Sequence, residues 1–281
     1  MSASTVTPPT LYIEGPAFWS PTLPDWATAR AVFAGTGAPV DPPAKRPSPQ
    51  VLAPAERRRA PDTVALALEV ASAAIAGAGR DAKDLPCVFV SAHGDLGIND
   101  YMCSTLAKDP MLLSPIKFHN SVHNAAVGYW TIGTGCMAAS NSISAYAQSF
   151  ASGLLEAAAQ CAADDQAVLL VGYDMPSVGA LSSVTTSRGL LAVALVISPQ
   201  RTERTVAAID WSLAAREAGA GAAATMPARA ALSDAATALR GNAMADALPL
   251  FEALAVSHAS PKTLDMPLSP TLALRLQLHT D

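Results

Sequence analysis

Cys136 is the residue of this sequence whose type and surroundings best suit nucleophilic chemistry. It ends a glycine-containing run, IGTGC, and a long stretch rich in Ala, Ser and Gly follows over residues 137–163. This composition predicts a buried helix opened by Cys136, after a short strand at residues 129–132. A thiol at a helix N-terminus meets unpaired N–H groups and the positive end of the helix dipole, which favour the thiolate and could stabilise an oxyanion. Cys136 is therefore the candidate nucleophile.

Two histidines, His119 and His123, precede this cysteine in a polar segment that also contains Asn120 and Asn124. An imidazole within hydrogen-bond reach of a thiol can act as its base, so both are candidate bases. The alternative interpretation is that these polar groups fix an interface loop, because buried amides and imidazoles must find partners. Cys136 could likewise be a small buried residue. The sequence leaves both interpretations open.

Basic residues are concentrated around a proline-rich connection over residues 35–61. Such a patch could attract an acidic protein through long-range electrostatics, or it could be an ordinary solvated face. The residues concerned are Lys45, Arg46, Arg57, Arg58 and Arg59.

The elements that must position these side chains alternate between helix and strand. An apolar helix is predicted after Asp62, ending at Gly77 and Gly79, and buried strands at residues 88–91 and 166–172. The strand at 190–197 is expected to pair with 206–211, and alternating leucines at 272–278 predict a half-buried edge strand. The turn at residues 93–97, HGDLG, could line a pocket at a strand end. An α/β fold with a mixed sheet and a buried central helix follows.

Composition excludes several classes of function. A net charge of −5 argues against non-specific nucleic-acid binding, and no apolar run approaches the length of a membrane span. The first residues lack the pattern of a secretory signal, so a cytoplasmic location is expected. The four cysteines have no spacing typical of zinc, and no metal is expected.

Over residues 10–215 the chain resembles the N-terminal half of the β-ketoacyl synthases, a thiolase-like fold. IGTGCMA resembles their nucleophile segment, VLLVGYDMP the strand after the buried helix, and LLAVALVISPQRTER the pair of strands that closes that half. The resemblance implies a ketosynthase-like domain at 1–215 and a truncated or degenerate C-terminal half. Residues 216–281 are then expected to form an Ala/Gly-rich linker, short helices and a terminal strand packed on the same domain.

The phrase FHNSVHNAAVGYW, residues 118–130, resembles the short chain-length-factor-like proteins of aryl polyene and xanthomonadin-type pigment clusters, although these often lack a cysteine at the nucleophile position. The resemblance implies a largely non-catalytic subunit that pairs with a full-length ketosynthase, helps shape its acyl tunnel, and needs no cofactor because substrate arrives on acyl carrier protein. Neither His258 nor His279 lies in the context of the C-terminal ketosynthase histidines, so independent condensation is not expected.

Other functions remain open at this point. One alternative is an autonomous acyltransferase or thioesterase-like enzyme that uses Cys136 as nucleophile. Another is a scaffold that binds only acyl carrier protein. Self-association into a homodimer is also an alternative to the heterodimer.

Overall fold

The computed structural model describes residues 8–216 and 232–280, which form one mixed sheet with helices on both faces. The predicted α/β fold with a mixed sheet is confirmed. The strands are β1 (Leu11–Trp19), β2 (Cys87–Val90), β3 (Ser140–Ile143), β4 (Val168–Asp174), β5 (Leu191–Ser198), β6 (Thr205–Ala215), β7 (Lys262–Pro267) and β8 (Leu272–Thr280). The helices are α1 (Trp26–Phe33), α2 (Pro54–Arg59), α3 (Asp62–Ala78), α4 (Leu96–Lys108), α5 (Pro115–His119), α6 (Ala125–Thr134), α7 (Ser149–Asp164), α8 (Asp234–Leu239) and α9 (Leu248–Ala255).

The strand order is β3-β2-β4-β5-β1-β6-β8-β7. The first two neighbouring pairs, β3–β2 and β2–β4, are parallel, and the five later pairs are antiparallel. Ile13 of β1 pairs with Ile197 of β5 on one side and with Ala207 of β6 on the other. The predicted direct pairing of the strands at 190–197 and 206–211 is therefore wrong, because β1 lies between them. The terminal strand β8 is also not an edge strand, since β7 covers it.

The core lies on both faces of the sheet, as the alternation of side chains along the strands requires. Phe89 and Leu169 face α3 and α6, and their neighbours Val88 and Leu170 face α7 and α9. Strands β2, β4 and β5 are buried along their whole length. This three-layer arrangement fixes the strand ends at which polar side chains gather.

Helix α3 ends as predicted, at Gly79 in the left-handed region (φ 64°). It lies so close to β1 that a Cβ added to Gly15 (φ 52°) would stand 2.2 Å from the carbonyl oxygen of Ala74. Arg80, just beyond the helix, makes a two-pronged ion pair with Glu14 of β1, at 2.7 and 3.0 Å; Glu14 is fully buried. Helix α3 is therefore fixed to the middle of the sheet by close contact and by charge.

The segment from residue 125 to 164 differs from its prediction. Residues 129–132 are helical, not extended, because they belong to α6, which Gly135 ends in the left-handed region (φ 71°). The predicted helix over 137–163 is wrong in its first part: residues 140–143 form β3, paired in parallel with β2, and α7 begins only at Ser149. A pairing partner supplied by β2 outweighs the helix propensity of this Ala- and Ser-rich stretch.

The proline-rich connection contains one short helix, α2, with Pro54 in its first turn, where a missing N–H is tolerated. The predicted Ala/Gly-rich linker after residue 216 lies largely outside the described residues. Beyond it, α9 packs into the core and β8 pairs with β6 along nine residue positions. None of the helices in the described part of the chain is long and apolar enough to span a membrane.

Candidate functional site

Polar side chains gather where β2 and β4 end. The fully buried Asp174, last residue of β4, accepts from the Ser91 hydroxyl at 2.8 Å and from the Ala92 N–H at 2.9 Å. The same hydroxyl oxygen of Ser91 accepts from the Gly94 N–H. Burial raises the pKa of Asp174 to about 7, although these hydrogen bonds oppose the shift. The cluster fixes the turn that leaves β2.

Two histidines belong to this cluster. His123 is half-buried, and its Nε2–H donates to the carbonyl oxygen of Ser91 at 2.8 Å. Nε2 of His93 hydrogen-bonds with the hydroxyl of Thr185, at a distance of 2.8 Å. Burial lowers the pKa of His93, which favours its neutral ring. His123 thus has the structural role left open by the sequence, as a residue that ties down a loop.

The junction between β3 and α7 is the strand–turn–helix arrangement at which an enzyme can expose a nucleophile. The turn residue here is Tyr146, held at φ 53°, a left-handed conformation that is rare for an aromatic residue. The Ser149 hydroxyl secures the turn, donating to the carbonyl oxygen of Tyr146 and accepting from the Ala145 N–H. The side chain presented at this junction is a phenol.

A cavity of about 200 Å³, here called the junction cavity, adjoins this turn. Asp246 reaches it from the segment before α9 and accepts from the Ala151 N–H at 3.1 Å, which caps the first turn of α7. Burial raises the pKa of Asp246 to about 7. Asn242 closes the wall by donating to the carbonyl oxygen of Gly189 at 2.9 Å. The lining side chains that carry the argument below are His93, Tyr146, Thr185, Arg240, Asn242 and Asp246.

Cys136 does not occupy the predicted position. It follows the C-terminal end of α6, so no free helix N–H groups face its sulfur and the predicted activation is wrong. The thiol is buried, 3% exposed, and its S–H donates to the carbonyl oxygen of Leu85, which precedes β2. Cys136 therefore lies at the amino-terminal end of β2, whereas the polar cluster lies at the carboxyl end. Neither His119 nor His123 hydrogen-bonds to it.

His119 is exposed at the end of α5, where its ring packs edge-on against Tyr129 at 6.4 Å. Its ring lines an apolar cavity of about 500 Å³, here called the α6 groove, whose apolar wall includes Ile116, Val122 and Ile132. A Cβ on Gly128 of α6 would meet no atom within 4 Å. The structure brings His119 to this groove and not to Cys136.

The five basic residues divide into two groups. Arg46 pairs with Asp62 and donates to the carbonyl oxygen of Ala60, and Arg57 donates to the carbonyl oxygen of Leu52. The other three, Lys45, Arg58 and Arg59, are exposed, and Arg59 stands at the rim of the α6 groove.

Several site residues escaped prediction because they come from distant parts of the chain. Thr185 reaches the junction cavity from the loop between β4 and β5, whereas Arg240 and Asp246 reach it from the segment between α8 and α9. No local sequence pattern marks any of the three. The sequence does mark Asp174, because a carboxylate at the end of a buried strand needs hydrogen-bond partners. The sequence does not mark Tyr146, because the residues of β3 and of the turn after it were predicted to be helical. Among the described residues, no group of three or more His, Cys, Asp or Glu is placed to hold a metal ion.

The sheet order, the buried central helix and the strand–turn–helix junction define a thiolase-like ketosynthase fold. The family model for the beta-ketoacyl synthase N-terminal domain matches residues 26–255. This chain belongs to that family. No curated protein sequence is similar enough to count as a match.

Solved structures of this fold cover nearly the whole chain. One is the ketosynthase ApeO in complex with its chain length factor ApeC from Xenorhabdus doucetiae, 22% identical over 95% of this chain and 99% of that one, with a TM-score of 0.68. Others are the ishigamide ketosynthase/chain length factor (14% identical, 96% and 99% covered, TM-score 0.71) and AntDE:AntF, a type II polyketide carrier protein with its ketosynthase (9% identical, 98% and 100% covered, TM-score 0.71). These likenesses establish the fold.

Proposed function

We propose that this chain is a chain-length-factor-like subunit that pairs with a full-length ketosynthase in the synthesis of an aryl polyene or similar polyketide-type acyl chain. The acyl chain would arrive on acyl carrier protein. The subunit would form part of the wall of the acyl tunnel without forming the carbon–carbon bond. Family membership and complexes of the same fold with ketosynthases support this role.

The observation that carries the proposal is the number of exposed apolar side chains in the segment that connects β2 to α7 along the chain, three of which line the α6 groove. Seven large apolar side chains in residues 111–137 are more than half exposed, a concentration that marks an interaction surface. β3, at the end of the sheet order, is partly exposed and hydrogen-bonds within the described residues only to β2, so its other edge can accept a strand. The seven side chains, here called the partner surface, are Met111, Leu112, Ile116, Phe118, Val122, Ile132 and Met137.

The β3–α7 junction supports the non-catalytic part of the proposal. A condensing enzyme needs a nucleophile at such a turn, and the side chain held there, Tyr146, is a phenol in place of a thiol. Asp246 covers the first turn of α7, where an oxyanion would otherwise bind. The ionised form of Asp246 would repel a developing negative charge there. This chain's own junction is therefore unsuited to acyl transfer.

Co-expression with the ketosynthase encoded beside its gene tests the proposal. The two chains should co-elute as a one-to-one complex on size exclusion, and Phe118→Glu or Ile132→Glu should weaken that complex at least about tenfold, because each buries a charge in an apolar interface. The affinity is measured by titration of labelled protein.

The matched control is Leu213→Glu on β6, which places the same charge on an apolar residue 55% exposed outside the partner surface. This variant should bind like the wild type. A chain that stays monomeric beside the ketosynthase, or that forms only homodimers, would contradict the proposal.

A further inference from the structure

Two carboxyl groups, those of Asp174 and Asp246, are buried in the same part of the molecule without a counter-ion. Asp174 is fully buried and Asp246 is 9% exposed. None of the ion pairs between described residues includes either of them. A carboxylate in the interior is unfavourable unless a cation pairs with it, and such a group takes up a proton instead. Burial therefore favours the neutral form of both side chains.

Each of the two carboxyls joins separate segments of the chain. Asp174 ends β4 and accepts two hydrogen bonds from the turn after β2. Asp246 precedes α9 and accepts from the Ala151 N–H, in the first turn of α7, at 3.1 Å. The side-chain amide of Asn242 connects the two sites, because it donates to the carbonyl oxygen of Asp174 at 3.3 Å. Residues 242–247 are thus fastened both to β4 and to α7.

The charged and titratable side chains around the two carboxyls do not neutralise them. Arg240 lines the junction cavity and Arg188 packs against Gly241 at 3.3 Å, but neither makes an ion pair with a described residue. His93 hydrogen-bonds with Thr185, and burial favours its uncharged ring. The other titratable groups nearby are Asp95, Tyr146 and Tyr173.

We propose that Asp174 and Asp246 form a latch that holds residues 242–247 against β4 and α7 while both carboxyls are protonated, and that loosens when they ionise. The N–H groups that donate to the two side chains favour the ionised forms, but desolvation outweighs them and raises the pKa of each to about 7. The charge of Asp174 raises the pKa of Asp246 further, so the two groups titrate as a pair. The junction cavity, about 200 Å³, adjoins Asp246 and can admit the water that solvates its carboxylate. The latch does not depend on which partner the chain assembles with.

The direction of the pH dependence follows from these pKa values. In the unfolded chain an aspartate has its ordinary pKa, about 3.9. Between about pH 4 and pH 7 the closed latch therefore binds more protons than the opened or unfolded chain, and its stability is lost as the pH rises through that window. Above pH 7 the two carboxyls cause little further loss. From pH 5 to pH 7 the equilibrium constant for closing should fall at least about tenfold.

Amide hydrogen exchange of the native chain tests the latch. The protection factor is the exchange rate corrected for the intrinsic effect of pH. For the Ala151 amide it should fall at least about tenfold from pH 5 to pH 7, because that N–H donates to Asp246. At every pH it should also lie below that of Leu195, in the buried middle of β5, because the latch opens without unfolding of the sheet. A constant protection factor at Ala151, or equal protection of the two amides, would overturn the proposal.

Asp246→Asn should weaken this pH dependence. The asparagine oxygen can keep the bond from Ala151 but cannot ionise, so the fall between pH 5 and pH 7 should shrink at least about threefold. The matched control is Asp265→Asn, whose carboxylate is paired with Arg275 on β8, and it should keep the wild-type fall. If Asp246→Asn fails to fold, a ¹³C carboxyl titration of the wild-type chain decides: a pKa of Asp246 in the ordinary range of an aspartate would refute the latch.

Discussion

At the scale of single residues, position decides what Cys136 can do. Its thiol is buried beside the start of β2 and donates to the carbonyl oxygen of Leu85, and neither His119 nor His123 hydrogen-bonds to its sulfur. Cys87 and Cys161 are also buried, and desolvation raises the pKa of each to about 12. Cys103, by contrast, is exposed on α4. Reactivity should therefore follow exposure, and Cys136 should be inert.

Alkylation of the native chain tests this. Iodoacetamide should label Cys103 at least roughly a hundredfold faster than Cys136, because alkylation needs an accessible thiolate. Peptide mass mapping after timed quenching gives both rates, and Cys103→Ser should remove the fast phase. An acyl adduct formed from an acylated carrier protein and lost in Cys136→Ala would contradict this account and revive the acyltransferase alternative.

The sequence could predict those site residues whose position follows from a local pattern, and not those that come together from distant segments of the chain. His93 and Asp95 stand in a polar turn after a buried strand, and that local pattern placed them at a strand end before the fold was known. The junction cavity could not be predicted, because it joins residues 93, 146, 185, 240 and 246, which only the folded sheet brings together. The predicted position of Cys136 at a helix N-terminus was wrong because a glycine before a cysteine is compatible both with the start of a helix and with the end of one.

At the scale of elements, the contact of α3 with β1 is set by a glycine. Gly15→Ala forces a Cβ into the backbone of α3 at 2.2 Å from Ala74 O and 2.7 Å from Ala78 N. Gly35 is the matched control, because it also has a left-handed φ, 71°, but open space around its Cα. Backbone strain should cost Gly35→Ala about 1 to 2 kcal/mol, whereas Gly15→Ala should cost at least about 3 kcal/mol through the added clash.

Urea unfolding followed by circular dichroism measures both free energies. Equal losses would mean that α3 moves away from β1 freely, which would contradict the close fit described above. If Gly15→Ala lowers the free energy of unfolding only slightly more than Gly35→Ala and also lowers the m-value, this too would contradict the close fit of α3 on β1.

The elements also differ in how well their sequences predict them. The apolar helix α3 carries a strong local signal, its terminal glycine, and its predicted span agrees closely with the observed one. Strand β3 has no such signal: SNSI contains one apolar residue, and only pairing with β2 makes it a strand. Local pattern thus predicts elements whose stability is local, and fails where a distant partner supplies the hydrogen bonds.

At the scale of the whole molecule, charge distribution bears on carrier docking. The chain is negative overall, −5, so an acidic carrier protein is repelled at long range unless a local positive patch guides it. Lys45, Arg58 and Arg59 are exposed and make no described ion pair, and they are the proposed guide. Arg46 and Arg57 serve the fold instead.

Arg58→Glu combined with Arg59→Glu should weaken carrier binding about tenfold at 50 mM salt, and the difference should shrink towards 1 M, where the Debye length is only about 3 Å. Surface plasmon resonance against immobilised acyl carrier protein gives the affinities. Lys262→Glu on β7 combined with Arg204→Glu on the β5–β6 turn makes the same change in net charge, −4, away from the patch, and it should have a smaller effect. Equal weakening by both variants would exclude a specific patch.

The interior position of β1 has a consequence for how the chain comes to be folded. Tyr12 pairs with Ser198 and with Ala208, so β1 is synthesised about two hundred residues before its neighbours in the sheet. At 5–20 residues per second, roughly 10 to 40 seconds pass during which an apolar strand waits with both edges free. Contacts of such long sequence separation also make the search for the native topology slow. Production of this protein in active form should therefore depend on chaperones that shield nascent chains.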